Sequence, residues 1–141
     1  MKYLQIDEHG NILSVAQPTM GFTYTPRKNI KEVPNEIKIN YDTSWWNTNL
    51  DMLDTREPRP GEFYKWENSN WVFVLEEFLN VLRYERNLKL SACDWTQIPD
   101  VDLTDYEKTL YATYRQELRD IPSLLTGNEV TLDDVVWPIH P

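Results

Sequence analysis

The feature that most constrains this chain is the run from Leu75 to Cys93, which contains neither glycine nor proline. Leu75, Phe78, Leu79 and Leu82 recur at helical spacing, and Val81, Leu88 and Ala92 widen the apolar face. The stretch therefore predicts an amphipathic helix. A second helix is predicted with a defined start. Thr104 and Glu107 stand at the spacing of a capping box, in which hydroxyl and carboxylate each satisfy a free backbone N–H. Tyr106, Leu110, Tyr111, Tyr114 and Leu118 form its apolar stripe. Asp105 and Glu107 near its start, with Arg115 and Arg119 further along, match the helix dipole. Pro122 is expected to end it, because the residue before a proline avoids the α region. Helices of about 15 to 19 residues are roughly 22 to 28 Å long. The connector between them, Trp95 to Leu103 with Pro99 inside it, most simply joins them antiparallel.

The residues before Leu75 read as short β elements and loops. Residues 2–16 predict a hairpin: Leu4 and Ile6 alternate with polar neighbours, His9-Gly10-Asn11 supplies turn chemistry, and Ile12, Leu13 and Val15 resume the apolar content. Pro18, Gly21 and Pro26 break the next stretch, with a short strand at Phe22–Tyr24. Ile37 and Ile39 alternate with Lys38 and Asn40 and suggest another strand. Asp42-Thr43-Ser44 reads as the cap of a short helix running through Trp45, Trp46, Leu50 and Leu53. The prolines and glycine of Arg56–Gly61 exclude regular structure and mark a linker. A second, aromatic hairpin follows, Phe63–Trp66 against Trp71–Val74 across a Glu67–Asn70 turn. The tail from Gly127 is too rich in proline to be helical, and Trp137 is expected to hold it against the helices. The fold class is thus α+β. Its expected division is a β-rich region, 1–60, and a region 61–141 holding the aromatic hairpin, the antiparallel helical hairpin and the tail.

Charge and composition exclude several functions. With 14 Lys and Arg against 23 Asp and Glu, the net charge is −9, and no basic run interrupts the acidity. Nucleic-acid binding, which depends on cations displacing counterions from phosphates, is not expected. The start of the chain lacks the apolar core of a signal peptide, and the longest apolar run, Trp71 to Leu75, is far too short to span a bilayer. Cys93, the only cysteine, permits no internal disulfide and suits a reducing compartment; at the end of an apolar helix it reads as a buried, inert thiol. His9 and His140 lie at opposite ends of the chain, and the 4 glycines form no phosphate loop. Asp100, Asp102 and Asp105 fail the calcium-loop pattern, since its sixth position would be Asp105 and its twelfth Tyr111. No catalytic, cofactor or metal site is expected.

The helical third carries more than helix signals. Arg83-Tyr84-Glu85-Arg86, Leu88, Leu90, Cys93-Asp94-Trp95-Thr96-Gln97, Pro99-Asp100 and Leu103-Thr104 are followed by Tyr114–Pro122 and the terminal Trp137-Pro138. This ordered run, over roughly residues 80–141, resembles the phage tail assembly chaperone domain found in tail-fibre assembly proteins and in C-terminal regions of other phage tail proteins. The resemblance implies a non-enzymatic phage protein acting by protein–protein contact in tail-fibre assembly, in the bacterial cytoplasm. Its partner would be a tail-fibre or baseplate protein. Alternatively the chain is a structural component that stays in the virion; a small hydrolase or a host-directed inhibitor are more remote alternatives. Oligomeric state is left open.

Among the motif residues, Asp94, Trp95, Asp100, Arg115, Arg119 and Trp137 read as structural. Asp94 or Asp100 would meet Arg115 or Arg119 and fix the connector to the second helix, while Trp95 covers the open end of the hairpin. Aromatic residues make up 13% of the chain, and tryptophan is enriched at binding hot spots. Trp45, Trp46, Trp66 and Trp71 are therefore the candidate contacts for a partner, with a place in the core as the alternative reading.

Overall fold

The computed structural model describes residues 1–18 and 27–141. The strand expected at Phe22–Tyr24 and the breaks at Gly21 and Pro26 lie outside the described residues. The elements in chain order are β1 (Lys2–Ile6), β2 (Ile12–Ala16), β3 (Ile30–Val33), β4 (Ser44–Asn47), β5 (Met52–Thr55), β6 (Tyr64–Glu67), β7 (Asn70–Phe73), α1 (Leu75–Ala92) and α2 (Asp105–Leu124), with 3-10 turns at Asp94–Gln97 and Leu132–Asp134. Mixed α+β architecture follows. The chain forms two compact units: Met1–Pro60 with Tyr64–Val72, and Gly61–Phe63 with Phe73–Pro141. Most of the aromatic hairpin thus groups with the first unit, whereas the sequence alone places it with the helices.

In the first unit, β1 lies between β2 and β3, antiparallel to both. Alternation along β1 turns Leu4 and Ile6 inward, where they meet Ile12, Val33 and Trp46. The turn from β1 to β2 is organised by Asp7, whose Oδ1 accepts the backbone N–H of His9 (2.9 Å) and of Asn11 (2.8 Å). Gly10 sits in this turn at φ +82°, the left-handed region that favours glycine.

Two expectations fail here. Ile37 and Ile39 are not in a strand; they pack as loop residues against the core, and the third strand of the sheet is Ile30–Val33, ending before Pro34. Nor do Trp45 to Leu53 form a helix. They form the antiparallel β4–β5 hairpin, with Trp46 opposite Leu53. The oxygen-bearing residues that resemble a helix cap close turns instead. Ser44 Oγ accepts the Asn40 N–H (3.1 Å), and Asn47 Oδ1 accepts those of Asn49 and Leu50. In the β6–β7 hairpin the turn is tighter than expected. Asn68 and Ser69 both adopt positive φ, the two-residue geometry whose twist matches the strands.

The second unit is built on α1 and α2. Phe78, Leu82, Cys93 and Leu118 are fully buried, and Phe63, Tyr114, Ile121 and Val135 complete the cluster. The capping box forms: Thr104 Oγ1 accepts the Glu107 N–H (3.3 Å), and Glu107 Oε2 accepts the Thr104 N–H (2.8 Å). Pro122 does not stop α2, which runs to Leu124. Ile121 is buried in the core, so packing holds it in the α region despite the following proline. In the tail, Val135 is buried, and Trp137 packs on the cluster with Lys89 Nζ 5.0 Å from its ring centroid.

The cap makes a testable contribution. Thr104→Ala should lower stability by about 1 kcal/mol in denaturant unfolding. Hydrogen bonds from Thr104 hold the Glu107 carboxyl below its ordinary pKa. A depressed carboxylate stabilises above its unfolded pKa and loses that stabilisation as pH falls through the folded value. Glu107→Gln should therefore lower the melting temperature at neutral pH, and the difference from wild type should vanish as pH falls through the depressed folded pKa.

Candidate partner-binding surface

The two helices of the second unit are joined by one buried side chain. Arg115, on α2, is 7% exposed. Its Nη1 donates to the Leu90 carbonyl (2.8 Å) and contacts Cys93 Sγ (3.0 Å), and its Nη2 donates to Asp94 Oδ1 (2.8 Å). The Leu90 carbonyl, in the last turn of α1, also accepts the Cys93 N–H (3.1 Å), so Arg115 adds a second bond to the end of α1 from across the hairpin. Burial opposes its charge, but the bonds with Cys93 and Asp94 outweigh it and raise the guanidinium pKa. Of the four charged residues suggested by the sequence, Asp94 and Arg115 come together; Asp100 and Arg119 lie exposed outside the pair. The contacts of Arg115 with Leu90 and Cys93 have no counterpart in the sequence reading, where this residue is only a dipole-matched charge.

Asp94 is largely solvated, with 62% of its side chain accessible. Removing Arg115 strands no deeply buried carboxylate, which places the loss below that of a fully buried pair. Arg115→Met should lower stability by about 2 kcal/mol, and Arg115→Lys, which keeps charge without the fork, should recover part of it. Chemical denaturation of the two variants checks this.

At the connector end, Trp95 lies edge-on to Tyr111 at 5.6 Å between centroids, and the His140 ring packs edge-on to Tyr111 (5.7 Å) and Tyr114 (5.2 Å). Trp95 itself remains half exposed.

The tryptophans expected at an interface are placed differently. Trp45, Trp46 and Trp66 are buried in the first unit, and Trp71 is half-buried. Trp45 and Trp66 meet edge-on at 5.0 Å, and Trp66 and Trp71 at 5.2 Å. Cations cover ring faces, Lys31 over Trp46 and Arg56 over both Trp66 and Trp71. Trp45, Trp46 and Trp66 thus serve the unit's own packing, the core alternative of the two readings.

Large exposed apolar side chains occur in both units, Leu13, Tyr41, Leu50 and Met52 among them in the first, and on the helical hairpin they form a stripe. Along α1, Val81, Tyr84 and Leu88 are exposed, at i, i+3 and i+7, within an arc of about 60° turned away from Phe78 and Leu82. On α2, Tyr106 (72% exposed) and Leu110 are likewise outward. Ile98 in the connector and Val136 and Ile139 in the tail add to the total. Leu75, Val81, Leu88, Ala92, Tyr106 and Leu110 were all expected on the apolar face, and the structure corrects each of them to an exposed position.

Residues 79–141 match the family of the phage tail assembly chaperone protein. The matched segment, somewhat under half the chain, holds every residue of the Arg115 lock, the aromatic end of the hairpin, the docked tail and the exposed stripe. The match supports a role in phage tail assembly. No curated protein and no solved structure matches the chain. Among the described residues no helix is long and apolar enough to cross a membrane, and no group of three His, Cys, Asp or Glu side chains is placed to hold a metal ion.

Proposed function

We propose that the protein is a non-enzymatic assembly factor that contacts a phage tail-fibre protein in the bacterial cytoplasm. On this reading it shields the fibre's unpaired surfaces until its subunits associate. One observation carries it: exposed apolar residues line the outer side of α1, within the segment that matches the tail assembly family. Apolar side chains at helical spacing on a solvent face suit a partner groove or bundle, and large exposed groups of this kind mark interaction sites. The buried Arg115 lock and the docked tail would act as positioning elements that keep the face rigid, which reduces the entropy lost on binding. The N-terminal unit would be a separately folding domain.

Co-expression with the fibre protein of the same phage tests the proposal. The wild-type chain should raise the yield of soluble, assembled fibre. The double variant Tyr84→Glu, Leu88→Glu should abolish that gain with no change in melting temperature, since both positions are exposed. Equal fibre yield with and without the chain, or full activity of the folded double variant, would contradict it.

A further inference from the structure

If the outer side of α1 is the face that meets the fibre protein, as proposed above, its spacing and charge also define the kind of segment it takes. Val81, Tyr84 and Leu88 repeat at the three-and-four spacing of a coiled-coil seam, and on the same side Ser91 and Ala92 are exposed and small. From Val81 to Ala92 the seam runs about 16 Å along the helix. A row this narrow, at helical spacing, fits the apolar edge of one further helix, whose side chains repeat at the same interval and enter the gaps between Val81, Tyr84 and Leu88. The small residues at its C-terminal end allow close approach there.

Charge beside the seam decides which helix. The charged residues of α1 within about 70° of the seam's centre are Glu77 and Glu85, at about 100° of rotation per residue. The cations of α1, Arg83, Arg86 and Lys89, all lie more than about 100° away from that centre, and Lys89 is turned onto the Trp137 ring. The chain as a whole carries a net charge of −9. A second copy laid seam to seam would therefore bring carboxylates to a surface that offers no cation of α1 in return. We propose that the seam takes an amphipathic helix of the fibre protein, apolar along one edge and flanked by lysine or arginine that pairs with the acidic margin of α1.

The test titrates the ¹⁵N-labelled full chain with three synthetic peptides of three heptads, each with leucine at the seam positions, and follows the amide signals by nuclear magnetic resonance. One peptide carries lysine beside the seam, one carries glutamate there, and the third is the lysine peptide with two prolines that prevent a helix. The lysine peptide should move the signals of residues 81–92 saturably and bind about 10-fold more tightly than either of the others. Glu85→Lys should weaken the lysine peptide about 5-fold and tighten the glutamate peptide, a reciprocal change that loss of the fold would not give. The proposal is overturned by equal affinity for the lysine and glutamate peptides, by a proline peptide that binds as tightly, by no saturable movement at residues 81–92, or by a wild-type dimer that Tyr84→Glu, Leu88→Glu dissolves. In the co-expression assay, fibre yield lost with Tyr84→Glu, Leu88→Glu but unchanged with Glu85→Lys would overturn the basic helix and leave the assembly role standing. Yield kept by both variants would overturn the two together.

Discussion

Phe78→Ala should lower the unfolding free energy of the second unit by about 4 kcal/mol, the largest loss expected from any single truncation in it. Phe78 is fully buried and touches aromatic rings on two sides, Phe63 at 5.3 Å and Phe73 at 5.8 Å between centroids. Phe63 immediately precedes β6 and Phe73 ends β7, and the Phe63 carbonyl accepts the Val74 N–H at 2.7 Å. Truncation would therefore remove a large transfer term and leave a cavity whose walls are anchored by backbone pairing and cannot readily collapse. Denaturant unfolding should show a lower midpoint with an unchanged slope. A loss below about 1 kcal/mol would mean that the ring is not central to the core.

Gly10→Ala should lower the stability of the first unit by about 3 kcal/mol, from two sources. At φ +82° an L side chain is strained. Its Cβ would also lie well inside contact distance of the Trp46 carbonyl oxygen and 3.3 Å from Trp45 Cε3. Neither side can yield easily, because the Trp46 N–H donates to the Gly10 carbonyl at 2.8 Å and so ties the two backbones together. Gly127 supplies the control. It has a similar φ of +87° with nothing within 4 Å of a built Cβ, so Gly127→Ala should cost only about 1 kcal/mol. The difference between the variants isolates the steric contribution. Equal losses would mean that strain alone matters at Gly10.

Signals that are local in the chain were legible before the structure. The capping box at Thr104 and Glu107, the first hairpin and the extent of α1 all depend on residues within a few positions of one another. The β4–β5 hairpin was not legible, because Asp42-Thr43-Ser44 serves a turn or a helix cap with the same oxygens. What favours the strand is distant in sequence: the Trp46 bond to Gly10 and the bridge between Asn11 and Trp45. β3 was missed because Lys31 and Glu32 interrupt its apolar residues, and its pairing with β1 defines it. On the helices, spacing identified apolar residues but could not divide them between two faces. Val81 and Leu88 therefore read as core when they face solvent. Arg115 shows the same limit, since its role rests on Leu90, Cys93 and Asp94, more than twenty positions away.

The central claim is that the protein assists tail-fibre assembly by transient contact through the outer face of its helical hairpin. Mass spectrometry of purified, mature particles, paired with electron microscopy of particles from a phage lacking the gene, tests it most directly. The predicted result is absence of the protein from mature particles, together with missing or misassembled fibres when the gene is deleted. Detection at stoichiometric copy number in mature particles, or normal fibres without the gene, would contradict it.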